Sequence, residues 1–109
     1  FQYSPTGFSL TKLNGEIIEA NLALCNMLGY NSEEVTGLNI TDITYYEDRD
    51  RDNYKRVQLL KREIEFYEEE KRLIHKKGKI IWVQTSNSLI WNSNGTPKGF
   101  ICTVFNTSS

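Results

Sequence analysis

The chain predicts an α+β fold, an antiparallel sheet with helices packed on one face. Three observations carry this. Two strand-like segments open the chain, several helical patterns follow, and three strand-like segments close it. Asn-Gly pairs at 14–15 and 94–95 mark tight turns between strands, because both residue types tolerate positive φ. The longest helical pattern, Tyr45–Ile64, sits between the two groups of strands.

Each element has a local reason. In "GFSLTK", Phe8 and Leu10 alternate with Ser9 and Thr11, and after a two-residue turn at Asn14-Gly15 the pair Ile17-Ile18 opens a second strand. Asn21 is suited to cap the next helix, about 21–28, where Leu24, Cys25 and Leu28 share a face. Gly29 stops it. In "NSEEVTG", Asn31 or Ser32 caps a short helix, Glu33 and Glu34 favour its positive end, and Gly37 ends it. "NITDIT" fits one more helical turn. The long helix, about 47–63, carries acids early and bases later, with Tyr54, Val57, Leu60 and Ile64 at helical spacing. "EFYEEEKRLIHKKG" leads to a turn at Lys77-Gly78, "KIIWVQTSNSLIW" is rich in β-branched and aromatic residues, and "KGFICTVFN" reads as a central strand, apolar on both faces.

At 109 residues this is one domain, long enough for a single hydrophobic core. A net charge of −1 suggests neither a nucleic-acid partner nor direct membrane contact. No apolar run approaches the roughly 18–20 residues of a membrane span, and "FQYSPTG" is no signal peptide. The opening residue is not Met, so the chain is expected to be excised from a larger protein. Cys25 and Cys102 fit no metal or redox spacing, and reduced thiols in a cytoplasmic protein are the simplest reading. The Asn-x-Ser/Thr triplets at Asn39, Asn94 and Asn106 are read as chance.

Over nearly its full length the chain resembles the PAS, or sensory-box, family of bacterial signal-transduction proteins. The carriers are "NGEIIEANLALCNMLGYNSEEVTG", "ITDITYYED" and "EKRLIHKKGKIIWVQTSNSLIWNSNGTPKGFICTVF", in that order and spacing. The closing strand runs into Asn106-Thr107-Ser108 where this family usually has Asp-Ile-Thr. The resemblance implies a five-stranded antiparallel sheet ordered 2-1-5-4-3, with several short helices and one longer helix across one face. It implies a ligand cavity between helices and sheet. It also implies a linked effector: a histidine kinase, a diguanylate cyclase or phosphodiesterase, or a transcription regulator.

The flavin-bonding branch of that family has Gly-x-Asn-Cys-Arg-Phe-Leu-Gln. The match here is "GLNITDIT", with Ile40 at the reactive-cysteine position. The branch's flavin-contacting amides fall on Leu73, Val83 and Val104, all aliphatic, so no flavin is expected. Cys25 lies outside that motif and reads as core. Haem-binding relatives carry an axial His on the long helix; here that helix has none, and haem is not expected. The single histidine, His75, reads as a solvated hairpin residue, since one His without partners makes a poor metal site. "DRDRD" (48–52) begins like a calcium loop, but Asn53 and Leu59 stand where Gly and Glu are needed. Glu69 and Glu70 have no His, Ser or Cys partner nearby and suggest no acid–base dyad.

Alternation splits each strand into two faces, and the resemblance, which puts Val83 on the cavity side, implies that Ser9, Thr11, Leu73, Ile81, Thr85, Asn87, Phe100, Cys102 and Val104 share it. From the helices, Leu24, Leu28, Ile43, Tyr54 and Val57 are expected to join them. This set suits a small-molecule site and equally suits a filled core. Trp82 and Gln84, with Ile101, Thr103 and Phe105, are expected outward, where they fit a homodimer face. Cover for Trp82 by Phe1 and Tyr3 of the same chain is the open alternative. A rival of another class is a small α+β enzyme using Asp42 with Tyr45 or Tyr46. The expectation is a non-enzymatic cytoplasmic module that binds a small ligand, or only dimerises, to regulate its effector. The bare domain carries no predicted cofactor or metal.

Overall fold

The strands alternate inward and outward side chains and so assemble one half-covered sheet. In the computed structural model, which describes residues 5–108, the strands are β1 (Gly7–Lys12), β2 (Ile17–Ala20), β3 (Phe66–Ile74), β4 (Ile80–Trp91) and β5 (Pro97–Asn106). All pairings are antiparallel, in the order β2-β1-β5-β4-β3. Register aligns the inner face in rows. Ser9, Cys102, Asn87 and Tyr67 form one, and Gly7, Val104, Thr85 and Glu69 the next.

Three strand connections share one geometry. The amide of Lys12 donates to Glu16 O, that of His75 to Lys79 O, and that of Asn92 to Thr96 O. In each, the third loop residue is a glycine at positive φ: Gly15 (+93°), Gly78 (+91°) and Gly95 (+85°). These are three-residue loops ending in a bulged glycine. The first connection is therefore longer than the expected two-residue turn, and Asn14 has no positive φ.

The helices are α1 (Leu22–Leu28), α2 (Ser32–Val35) and α3 (Tyr46–Leu60). Asn21 caps α1: its Oδ1 accepts from Leu24 N and also from Phe8 N, both at 3.0 Å, tying the helix to β1. Asn31, rather than Ser32, caps α2 in a reciprocal box with Glu34. "NITDIT" forms tight turns, with Asp42 N donating to Asn39 O and Thr44 N to Thr41 O. α3 ends earlier than the expected residue 63, because Arg62 takes a left-handed φ of +60° just past it.

The face of α3 differs from the expectation. Its buried residues are Asp48, Asp52 and Leu59. Tyr54 is 64% exposed and Val57 44%, and Leu60 is exposed as well. The apolar spacing that suggested an inward stripe lies on the solvent side, because β3 offers cations, not an apolar groove, to this helix. Two apolar clusters result. The larger packs Leu24, Cys25, Leu28, Val35 and Ile43 against Leu73, Ile81, Val83, Cys102 and Val104. The smaller joins Leu59, Tyr67 and Phe100.

Candidate functional site

Between the two apolar clusters lies a buried polar group. Its anchor is Asp52, projecting from α3 onto β3. Asp52 Oδ2 accepts from Lys71 Nζ at 2.8 Å, and Oδ1 accepts from Tyr67 Oη at 2.8 Å. Lys71 Nζ also reaches Thr44 Oγ1 at 3.2 Å. Arg56 adds a longer contact of 3.7 Å to Asp52. Asp52 and Lys71 are each only 2% exposed. A buried charge pair of this kind holds only when its remaining valences are satisfied, as they are here.

Glu69 completes the group. It alternates with Tyr67 and Lys71 on the same strand face, and its Oε1 accepts from Arg51 Nε at 3.1 Å. Burial, then contact with the Asp52 carboxylate, pushes the Glu69 carboxyl up to about 7. Burial opposes ionisation of Asp52 too, but the Glu69 proton and the Lys71 ammonium outweigh it and hold Asp52 well below the usual carboxylate range. Burial and the adjacent Asp52 raise the Tyr67 phenol, which stays a hydrogen-bond donor.

A second clasp sits at the start of α3. Asp48 accepts from the Arg72 amide (2.8 Å), from Nε (3.0 Å) and from an η nitrogen (2.8 Å). The Arg72 guanidinium then lies over the Tyr45 ring at 4.4 Å and the Trp82 ring at 4.9 Å. One side chain thus joins α3 to the outer sheet face.

The interior cavity is bounded by Asp52, Arg56, Tyr67 and Lys71 of the buried polar group, by Leu73, Thr85, Asn87, Phe100, Cys102 and Val104 of the sheet, and by Ile40. Its volume is about 20 Å³, room for roughly one water. Ser9 Oγ and Thr11 Oγ1 face it, buried and without a hydrogen-bond partner. Leu24, Leu28, Ile43 and Val83 are buried in the larger apolar cluster and do not line it. Tyr54 and Val57, pointing to solvent, do not either. A larger depression, about 450 Å³, opens on the surface between Leu59, Arg62, Leu89 and Trp91, away from the interior.

The polar group was not expected from the sequence, where "DRDRD" reads as a failed calcium loop and Glu69 and Glu70 suggest no acid–base dyad. One signal was present: Leu73 faces inward, and strand parity carries Lys71 and Glu69 to the same side. The Asp42–Tyr45 pair does not assemble. Asp42 is exposed, and the Tyr45 hydroxyl reaches Glu47 at 3.5 Å. Tyr46 is exposed. Cys25 is buried in the larger cluster, and burial pushes the Cys102 thiol up to about 12. On the outer face Trp82 and Phe105 are exposed, while Gln84, Ile101 and Thr103 are half-buried. Phe1 and Tyr3 lie outside the described residues.

A search of solved structures finds the PAS domain of a protein from Colwellia psychrerythraea, with a TM-score of 0.84 at 21% identity over 93% of this chain and 85% of that one. Its likeness is one of fold. Among curated proteins the chain is 35% identical over 103 residues to the probable diguanylate cyclase DgcE of Escherichia coli K12. That match covers 94% of this chain and 9% of the relative's length. The PAS domain family profile matches residues 5–109, and the chain belongs to the PAS domain family.

Proposed function

We propose that this domain is a sensory interaction module with a filled interior, which regulates a linked effector by pairing its outer sheet face with a second copy. The cavity volume carries the reading. About 20 Å³ is space for a water, whereas small-molecule sites span about 300–1,000 Å³. On this reading the interior holds neither a flavin nor a haem. Ile40, on the cavity wall at the matched reactive-cysteine position, supplies no nucleophile.

The outer face supports the second half. Phe105 lies opposite Gln84 and Ile101 opposite Ser88 across β4 and β5, with Trp82 at the end of this surface. Exposed aromatics on a sheet are suited to a twofold, self-complementary interface. Arg72 gives the face a route inward, since it lies on Trp82 and grips Asp48 of α3. The likeness to a segment of a probable diguanylate cyclase favours a cyclic-di-GMP enzyme over a histidine kinase as the effector. The test is sedimentation velocity of the domain and of its Trp82→Ala and Phe105→Ala variants at fixed pH. A dimer weakened by both substitutions is expected. A monomeric wild type, or an unchanged monomer–dimer balance, overturns the proposal.

A further inference from the structure

Glu69 is the one member of the buried group whose valences are not filled. Arg51 occupies Oε1, while Oε2 is buried and lacks a protein partner. The side chain is 7% exposed. On β3 it stands between Tyr67 and Lys71, both of which bind Asp52, so its side chain leaves the strand on the face that Asp52 covers. Two carboxylates brought to one buried face and shielded from water do not both ionise without mutual repulsion. Next to them, Ser9 Oγ and Thr11 Oγ1 look onto the one-water cavity without partners.

The geometry points to a proton-binding site: Glu69 and Asp52 share one proton, and its release loosens α3 from β3. This deepens the sensory reading above by naming the proton as the ligand, and it rests on that reading only for its biological consequence. The groups facing the site are Asp48, Arg51, Asp52 and Arg56 from α3 and Tyr67 and Lys71 from β3. Cys102 from β5 stays neutral near neutral pH, its thiol being pushed up to about 12 by burial. Lys71 is committed to Asp52. When the shared proton leaves, Glu69 keeps only Arg51, which is itself half-exposed and draws it toward solvent.

The sign follows from linkage. The folded Glu69 carboxyl sits above its ordinary value of 4.5, at about 7. Its stabilisation is therefore fully present below pH 4.5 and lost as pH rises through 7. Between pH 6 and pH 8 the linkage amounts to about a tenfold increase in opening.

Two readouts test the proposal. The side-chain carboxyl ¹³C shift of Glu69, assigned by its loss in Glu69→Gln, is expected to titrate between pH 6 and 8. Hydrogen exchange of α3 amides, corrected for intrinsic rates, is expected to show the tenfold loss of protection in the wild type and none in Glu69→Gln. His75 is common to both proteins, so their difference isolates Glu69. A Glu69 carboxyl that titrates near 4.5, or a variant with the wild-type pH dependence, overturns the assignment. Should Glu69→Gln fail to fold, selective ¹³C-glutamate labelling of the wild type decides alone. Either failure leaves the sedimentation result untouched, so loss of the proton site and loss of the dimer module are told apart.

Discussion

Replacing Lys71 by Met removes a charge while nearly keeping the side chain's length and apolar bulk. The ammonium lies 2.8 Å from Asp52 Oδ2, and both side chains are 3% exposed. Removing one member of such a pair leaves the other charge buried and uncompensated, which costs about 3–5 kcal/mol. Tyr67 Oη and the Arg56 contact at 3.7 Å remain, so a loss near 3 kcal/mol is expected. In a domain of this size that lowers Tm by about 12 °C. The assay is urea unfolding followed by circular dichroism, with a constant m-value required of all variants. The double variant Asp52→Leu/Lys71→Met removes both charges, and isosteric apolar replacement of a buried pair is often neutral. It should recover most of the loss. The deficit of Lys71→Met should also shrink in acid. Asp52 is held well below the usual range, so its stabilisation is present above pH 3.8 and lost as pH falls. A Lys71→Met protein within about 1 kcal/mol of wild type refutes the reasoning. So does a double variant as unstable as the single.

Three further outcomes are expected. Asp48→Asn weakens three bonds to Arg72 and should cost about 2–3 kcal/mol by urea unfolding. Hydrogen bonding from Arg72 outweighs burial and holds the Asp48 carboxyl below its ordinary value, so its stabilisation fades as pH falls below 3.8, and an acid titration of Asp48→Asn should be flatter there. Gly29→Ala places a β-carbon at φ +80° and into the His75 ring. The left-handed backbone alone costs about 1–2 kcal/mol, and adding His75→Ala should recover the steric remainder in thermal melts. A thiol reagent at pH 8 should label neither Cys25 nor Cys102 in the native protein, since both are buried and burial raises the Cys102 thiol; labelling of either at the rate seen in urea counts against this core.

Strand chemistry made the sheet legible. Period-two alternation in "KIIWVQTSNSLIW" and "GFICTVF" separates Thr85, Asn87, Phe100, Cys102 and Val104 from Trp82, Ile101 and Phe105, and the structure keeps that separation. Asn21, Gly29 and the Asn31–Glu34 box are readable for the same reason: caps are local and need only their own neighbours. α3 misleads because its attachment is not local. Apolar periodicity selects Tyr54 and Val57 for the inside only if the opposing surface is apolar. Here the opposing surface is Tyr67, Lys71 and Arg72, separated from α3 by a turn and a change of element. A charged residue pattern does not say which charges find partners. The strand parity that fixes Leu73 fixes Lys71 and Glu69 as well, but the general preference of charges for water argues against using it.

The manner of α3's attachment bears on how a signal moves through the domain. α1 and α2 sit on the larger apolar cluster, whose stabilisation depends little on pH or salt. α3 contributes only Leu59 to a buried apolar cluster; Asp48, Arg51 and Asp52 tie it to β3, and Arg49 and Arg56 to the turn at residues 41–44. Such contacts respond to proton release and, where exposed, to ionic strength. With one buried apolar residue among its fifteen, α3 is expected to open early. Arg72 ties its first turn to Trp82 on the opposite side of the sheet. On the proposed reading, a partner that covers Trp82 and a proton that leaves Glu69 would act on the same helix from two sides. Coupling between them needs no ligand in the core, only two arrangements of α3 that differ in these contacts.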